Sequence, residues 1–219
     1  WMQSQASASY WDEFLVETIH NPIPGSFFEY RDRNSCKLAL GLDLNQPVVL
    51  SVAGNLKEER KGGPILQQII SANLKHQVQF LLIGSGHSDY CNNTSIKSLG
   101  FIDDELMLKI AYNAADLLLH PAPIDNLPNT VAESMSSGTP VLAFSTGGLP
   151  EMVIPGKSGW LASVISAASM VEKLEFVLAS KDYDNLREST KELARSFYDP
   201  RNVGNQYTKH FKTILYGQN

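Results

Sequence analysis

Residues 47–86 read PVVLSVAGNLKEERKGGPILQQIISANLKHQVQFLLIGSG and contain the pattern from which the fold follows. Residues 48–53 form a short, almost entirely apolar run, which is typical of a strand that is covered on both faces. Residues 64–74 then carry apolar side chains three and four positions apart, which is the spacing of a helix. A second short apolar run follows at 78–83. A strand, a helix and a second strand in this order predict a parallel βαβ unit.

The same alternation of strands and helices continues to residue 162. Further strands are predicted at 96–101, 116–120, 140–144 and 159–162, and further helices at 103–114 and 128–137. After residue 166 the apolar spacing is helical only, and helices are predicted at 166–179, 183–197 and 200–216. The pattern predicts an α/β fold: a doubly wound, Rossmann-like parallel sheet of about six strands with trailing C-terminal helices.

The chain divides into three predicted parts. Residues 1–46 show no strong periodicity and are interpreted as a linker or lead-in segment, with a short helix or strand at 11–19 and a turn at 21–25. Residues 47–199 form the predicted Rossmann-like domain, and residues 200–219 form a C-terminal helix. Four apolar side chains of that last helix are expected to cover the core of this domain: Val203, Tyr207, Phe211 and Ile214.

The composition excludes several classes of function. The chain has 219 residues, of which 43% are hydrophobic, and its formal net charge is −5. Because a broad basic face is missing, we expect no nucleic-acid partner, and a phosphate site must use a few local cations and backbone N–H groups. There is no apolar run of 18 residues and no signal peptide, and Cys36 and Cys91 are expected to be free thiols, so a cytoplasmic location is expected. Because the chain begins at Trp1, we expect it to be part of a longer protein.

Candidate ligand-binding loops follow the predicted strands, because ligands of open parallel sheets bind beyond the carboxyl ends of the strands. Arg60 and Lys61 come directly before a predicted helix, next to Gly62 and Gly63. Two cations, a helix start and two glycines can hold a phosphate, although a solvated charged loop has the same features. The Gly-Ser-Gly turn at 84–86 lacks the rest of a dinucleotide-binding fingerprint and is interpreted as a tight turn.

Two acidic residues flank the start of the helix predicted at 128–137. Asp125 precedes this helix and Glu133 lies about one turn inside it. Between them, residues 126–130 offer free backbone N–H groups at the positive end of the helix, where a diphosphate can bind. Carboxylates accept strong hydrogen bonds from sugar hydroxyls. The alternative is that Asp125 caps a turn and Glu133 is a surface residue. His87 and His120 also follow predicted strands; His87 is interpreted as incidental and His120 as a satisfied structural histidine.

The order and spacing of these residues resemble a known family. Asp125 and Glu133 are followed by Gly-Thr-Pro-Val at 138–141 and by Gly-Gly-Leu-Pro-Glu at 147–151. This pattern is similar to the C-terminal, nucleotide-sugar-binding domain of GT-B-fold glycosyltransferases of family 4, also called group 1. The resemblance covers about residues 48–161. It implies that the fold is one half of a GT-B enzyme and that a sugar is transferred, with retention and without a metal, from a UDP- or GDP-linked donor. It implies no cofactor, since the nucleotide sugar is a co-substrate.

The resemblance implies catalytic roles for Lys61, Asp125 and Glu133. Lys61 matches a lysine that neutralises the leaving diphosphate. Glu133 matches an acid that binds the donor ribose, and Asp125 matches one that contacts the donor sugar, with Asp in place of the usual Glu. Asn55 stands where the family has an arginine, and Arg60 can supply the missing charge.

The other implied contacts are with loop residues of the same edge. The donor sugar is expected to meet Asp125, Asn126, Leu127 and Pro128. The nucleotide and its diphosphate are expected to meet Gly54, Asn55, Arg60, Lys61, Phe101, Ile102, Asn129, Thr130 and Glu133. No metal ligand is expected.

The resemblance also implies partners outside this chain. A GT-B enzyme closes two domains over a cleft, and the N-terminal, acceptor-binding domain is absent from these residues. We therefore expect a glycan or lipid-linked acceptor, with peripheral contact to the cytoplasmic membrane face through the missing domain, and little transfer by this chain alone. Two alternatives stay open: a GT-B-fold nucleotide-sugar epimerase, and a degenerate module that binds a nucleotide sugar without catalysis.

Overall fold

The computed structural model describes residues 1–11, 13–14, 16–86 and 95–216. Within these residues, six parallel strands form one sheet. The strands are β1 (Val48–Asn55), β2 (Gln79–Ser85), β3 (Ile96–Ser98), β4 (Leu117–His120), β5 (Val141–Phe144) and β6 (Gly159–Ala162). The helices are α1 (Met2–Ser7), α2 (Arg33–Ala39), α3 (Gly63–Ile70), α4 (Glu105–Ala114), α5 (Asn129–Ser136), α6 (Leu149–Met152), α7 (Ala167–Ser180), α8 (Tyr183–Tyr198) and α9 (Pro200–Tyr216), with short 3₁₀ turns at Gly25–Phe28 and Glu59–Lys61.

The strand order is β3-β2-β1-β4-β5-β6, which confirms the predicted doubly wound, Rossmann-like α/β fold. The chain runs outward from β1 to β3 and then returns to place β4 on the other side of β1. Connections therefore leave the carboxyl ends of β1 and β4 in opposite directions. A crevice opens between them, and this is the position at which such sheets bind ligands.

The sheet is buried on both faces, as its apolar runs require. In β4, Leu118 packs on the face that is covered by α4 and α5. Leu117 and Leu119 pack on the opposite face, which is covered by α3 and α7. Successive side chains of a strand point to opposite faces, so a strand between two helical layers must be apolar at every position. Each fully buried leucine contributes roughly 1.5–3 kcal/mol to folding.

Several predicted elements differ from the structure in extent. The strand predicted at 96–101 ends at Ser98, and the helix predicted at 64–74 ends at Ile70, where the chain turns toward β2. The helix or strand predicted at 11–19 is wrong, because the described residues of that segment form neither and the apolar side chains of Trp11 and Phe14 are exposed rather than packed. His87, which was interpreted as incidental, and Cys91, which was expected to be a free thiol, lie outside the described residues.

The segment before β1 contributes to the core of the domain. Ile23, Phe27 and Leu40 are buried in the cluster that lies under α4 and α5. Helix α2, which the apolar pattern did not indicate, begins where the Asp32 carboxylate accepts a hydrogen bond from the Ser35 N–H at 2.8 Å. The division of the chain at residues 46/47 and 199/200 stays a prediction.

The last helix does not bury its apolar residues as expected. Val203 is buried, but Tyr207, Phe211 and Ile214 are exposed, so the expectation that all four cover the core is wrong for three of them. Further along α9, the His210 imidazole lies against the Glu17 carboxylate of the segment before β1. Among the described residues, no helix is both long and apolar enough to cross a membrane.

Candidate functional site

A small cavity lies in the crevice between β1 and β4, with a volume of about 80 Å³. Both loops that leave these strands line it, with Gly54 and Lys61 from the β1 side and Pro121 from the β4 side. Thr130, in the first turn of α5, also lines it. Backbone N–H groups at the start of this helix have no partner within the helix and carry partial positive charge. The cavity therefore combines a lysine with a helix N-terminus, a combination that binds anions.

Lys61 and Asp125 form an ion pair at this cavity. The Lys61 ammonium donates to Asp125 Oδ2 at 2.7 Å. Lys61 ends the 3₁₀ turn before α3, and Gly62 follows it with φ +79°. A Cβ on Gly62 would lie 2.1 Å from the Pro121 carbonyl oxygen. Only glycine lets the two loops approach this closely, so Gly62 brings the lysine to the acid.

The protonation state of Asp125 is fixed by its neighbours. Burial alone would raise its pKa, but His120 and the Lys61 ammonium outweigh burial and hold the pKa of Asp125 well below its usual range. Asp125 is therefore an anion at neutral pH. Its side chain is 14% exposed, and its Oδ1 accepts a hydrogen bond from the Asn126 N–H at 3.0 Å.

The Gly-Gly motif holds the loop that carries Asp125. A Cβ on Gly147 would lie 2.1 Å from the Asp125 carbonyl oxygen, and a Cβ on Gly148 would lie 1.9 Å from that of Asn126. The Gly148 N–H donates to the Asp125 carbonyl at 3.0 Å, and the Thr146 hydroxyl donates to the Pro123 carbonyl at 2.8 Å. The motif therefore acts on the site through the backbone, by letting one loop lie flat on another.

His120 belongs to this site, although its sequence position indicated a satisfied structural histidine. The side chain is buried and lines the cavity at the carboxyl end of β4. Its Nε2 lies 3.4 Å from Asp125 Oδ2, and within the described part of the chain this nitrogen meets no acceptor with hydrogen-bond geometry. A buried nitrogen without a good partner is unusual, and here it faces the cavity. The expectation of a satisfied histidine is wrong at this atom.

Glu133 lies one helical turn into α5 and makes a different contact. Its Oε2 accepts a hydrogen bond from the Tyr112 hydroxyl of α4 at 2.8 Å. Burial raises the pKa of Glu133; the Tyr112 hydrogen bond lowers it and the charge of Glu105 raises it further. The structure thus joins Lys61 to Asp125 directly, while Glu133 is held by Tyr112 on the helix whose first turn lines the cavity.

The other predicted contact residues vary in their surroundings. Arg60 is exposed, and its guanidinium pairs with Glu58 at 2.9 Å rather than with Asp125. Asn55 accepts a hydrogen bond from the Lys57 N–H at 3.0 Å, within its own loop. Phe101 is exposed, whereas Ile102 packs against the core. Asn126 and Asn129 are exposed, Leu127 and Thr130 are half-buried, and Pro128, which precedes α5, is buried.

Sequence reasoning did not assign a role to Tyr112 and undervalued His120. Tyr112 is a fully buried tyrosine on a predicted helix, and a buried phenol needs a hydrogen-bond acceptor. That need was the only signal in the sequence.

Among residues 1–11, 13–14, 16–86 and 95–216, no group of three His, Cys, Asp or Glu side chains has the arrangement of a metal site.

Comparison with known families identifies the chain. Residues 46–180, more than half of the chain, match the family described as "Glycosyl transferases group 1". The chain belongs to this family and corresponds to the C-terminal domain of its GT-B fold.

Curated relatives and solved structures agree with this assignment. The chain is 21% identical over 208 residues to N-acetyl-alpha-D-glucosaminyl L-malate synthase of Bacillus anthracis, covering 91% of this chain and 54% of that protein. It is 33% identical over 103 residues to lipopolysaccharide 1,2-N-acetylglucosaminetransferase of Salmonella typhimurium, covering 46% of this chain and 27% of that protein. The chain thus spans about half, or less, of the curated relatives it matches.

The solved structures support the fold. Sucrose-phosphate synthase from Thermosynechococcus elongatus superposes with a TM-score of 0.81 at 21% identity, over 99% of this chain and 57% of that one. Anabaena HepE, solved in complex with UDP, superposes with a TM-score of 0.79 at 20% identity, over 95% of this chain and 60% of that one.

Proposed function

We propose that this chain is the donor-binding half of a retaining glycosyltransferase that transfers a sugar from a UDP- or GDP-linked donor to a glycan or lipid-linked acceptor, without a metal or a cofactor. Anabaena HepE, a protein of the same fold, was solved with UDP bound, which supports a nucleotide ligand here. The acceptor, a cytoplasmic location and contact with a membrane face belong to the same proposal and involve the N-terminal domain that this chain does not contain.

The Lys61–Asp125 ion pair is the observation that carries the proposal. In the proposed complex, the Lys61 ammonium and the N-terminus of α5 face the diphosphate of the donor. As the bond from the sugar to the diphosphate breaks, negative charge grows on the leaving oxygen. A cation and helix N–H groups that are already in place stabilise that charge without reorganisation. Asp125, held ionised beside Lys61, accepts hydrogen bonds from the sugar hydroxyls, and Glu133 accepts them from the ribose.

Nucleotide titration tests this proposal. Calorimetry on the full-length protein with UDP and GDP should show binding of at least one of the two. Lys61→Ala and Glu133→Ala should each weaken that binding about tenfold, since each removes a charged hydrogen-bonding group. Lys173→Ala removes a lysine on α7, where its ammonium lies over the Phe176 ring, and should leave binding unchanged.

Three outcomes would contradict the proposal. Wild-type protein that binds neither nucleotide would favour a degenerate module. Asn55, which stands where the family has an arginine, favours the same alternative. Conversion of the donor sugar to its epimer without an acceptor would favour an epimerase. Affinities that Lys61→Ala and Glu133→Ala both leave unchanged would remove the site assignment.

A further inference from the structure

The Tyr112–Glu133 contact is built more rigidly than a surface hydrogen bond. Tyr112 is fully buried in α4, and its hydroxyl lies 2.8 Å from Glu133 Oε2. Burial of a hydroxyl costs free energy unless it finds a partner, so the phenol and the carboxylate hold each other in place. A phenylalanine would fill the same space without this requirement.

Tyr112 is fixed through both its ring and its backbone. The Phe27 ring of the first 3₁₀ turn packs against it, with ring centroids 6.2 Å apart. The Thr139 hydroxyl donates to the Tyr112 carbonyl oxygen at 2.7 Å, which ties α4 to the loop before β5. The hydroxyl therefore points at Glu133 from a position that the core determines.

The carboxylate of Glu133 has one oxygen committed and one available. Tyr112 occupies Oε2, and among the described residues Oε1 accepts no hydrogen bond. The side chain is half-buried, so Oε1 can meet a ligand. A carboxylate held at one oxygen loses rotamer freedom before the ligand arrives, which strengthens the hydrogen bonds made by the other oxygen.

We propose that the Tyr112 hydroxyl is a positioning group for Glu133: it fixes one carboxylate oxygen so that the other receives the ribose hydroxyls of the donor nucleotide. This inference rests on the proposed function, because it takes Glu133 to be the ribose-binding acid. Tyr112 does not touch the nucleotide itself.

Discrimination between ribose and dideoxyribose separates positioning from a purely structural role. In the full-length protein, Tyr112→Phe should weaken binding of UDP or GDP, whichever binds the wild type, by about threefold to tenfold, the range for one lost hydrogen bond. Binding of the 2′,3′-dideoxy form of the same nucleotide should change less than about twofold, because that ligand offers no hydroxyl to Glu133. A general loosening of the fold would weaken the binding of both ligands equally.

The chain offers a matched control in Tyr198. This tyrosine is also buried, and within the described residues its hydroxyl has no hydrogen-bond partner. Tyr198→Phe removes the same atom from another part of the core and should leave both affinities unchanged. In a Glu133→Ala background, Tyr112→Phe should have no further effect on the ratio of the two affinities.

The outcomes distinguish this inference from the proposed function. If the wild type binds neither UDP nor GDP, both fail. If Glu133→Ala abolishes the preference for ribose and Tyr112→Phe preserves it, the proposed function stands and the positioning role is overturned. Equal weakening of the ribose and dideoxyribose forms by Tyr112→Phe also overturns it.

Discussion

The two edges of the sheet each hold an aspartate that pairs with a lysine, but the surroundings of the two aspartates differ. At the amino edge, Asp116 accepts from the Lys37 ammonium at 2.7 Å, from Arg33 at 2.6 Å and from the Val48 N–H at 2.8 Å. At the carboxyl edge, Asp125 accepts from Lys61, which lines the cavity, at 2.7 Å.

The two aspartates differ in their exposure and in the number of protein groups that donate hydrogen bonds to them. Asp116 is 4% exposed, and both of its oxygens are occupied by the protein. Asp125 is 14% exposed, and its two oxygens accept from Lys61 and from the Asn126 N–H at 3.0 Å. The same pairing of charges thus ties α2 to the start of β1 in one place and joins the loops that follow β1 and β4 in the other. Burial and the number of protein donors distinguish the two, since Asp116 accepts from Lys37, Arg33 and Val48 and Asp125 from Lys61 and Asn126. The following predictions test that distinction.

The largest expected effect is on stability at the amino edge. Asp116→Ala leaves the buried Lys37 ammonium without its counter-ion, and it should lower the free energy of unfolding by about 3–5 kcal/mol. Asp125→Ala leaves a partly exposed lysine and should cost less than about 1 kcal/mol. Urea denaturation of both variants measures the two losses. Losses of equal size would show that the two edges do not differ in this way.

Replacing the lysines instead of the aspartates should reverse the order of the two edges. The larger loss of transfer rate is expected at the carboxyl edge. If the proposed function holds, Lys61→Ala removes positive charge at the leaving diphosphate and should lower the transfer rate of the full-length enzyme by about 10²–10³-fold, with a small change in stability. Lys37→Ala should lower stability, while molecules that remain folded transfer sugar at the normal rate. The measurement is the transfer rate of each variant, normalised to its folded fraction. A normal rate for Lys61→Ala would contradict the prediction.

A smaller effect is expected at the Gly-Gly motif. Gly148→Ala places a Cβ 1.9 Å from the Asn126 carbonyl oxygen, so the loop that carries Asp125 must shift. We expect a loss of about 1–3 kcal/mol in the free energy of unfolding, together with weaker nucleotide binding. Gly204 lies in α9, where an added Cβ meets nothing within 4 Å. Gly204→Ala should instead stabilise the helix by about 0.5–1 kcal/mol, and thermal melts compare the two.

The smallest effect is a dependence of stability on pH. The pKa of Asp125 is lowered by folding, so its contribution is present above the unfolded pKa of about 3.9 and is lost as pH falls through the folded value. The stability difference between wild type and Asp125→Asn should be at most about 1 kcal/mol at neutral pH and should shrink in acid below about pH 3.9. Asp103→Asn, at an exposed site before α4, serves as the control. A difference that grows in acid would contradict this assignment.

The parallel sheet could be predicted because its signal is local. The apolar runs at 48–53, 78–83 and 140–144 cannot be exposed, and the helical spacing between them leaves one arrangement that buries them. Helix α2 depends instead on the Asp32 cap and on packing against α4, and neither produces a long periodic pattern. The predicted strand at 96–101 was too long: β3 ends at Ser98, although Leu99 and Gly100 still make backbone hydrogen bonds to residues of β2.

The candidate site could be predicted in part for a related reason. Asp125 and Glu133 lie on one helix start, so their spacing along the chain approximates their spacing in the fold. Lys61 is 64 positions from Asp125, and the ion pair between them follows from the neighbouring positions of β1 and β4. Tyr112 is 21 positions from Glu133 on another helix, and that contact depends on how two helices pack. No pattern in the sequence specifies it.

The 3₁₀ turn at Gly25–Phe28 has a practical consequence for expression of this domain. A polypeptide trimmed to start at Pro47 would lack Phe27, and one flank of the Tyr112 ring would then face water. It would also lack Ile23 and Leu40, so apolar surface that is now covered would be available for aggregation. Clones that begin upstream of residue 20 keep the Phe27 ring that packs against Tyr112, the hydrogen-bond donor to Glu133.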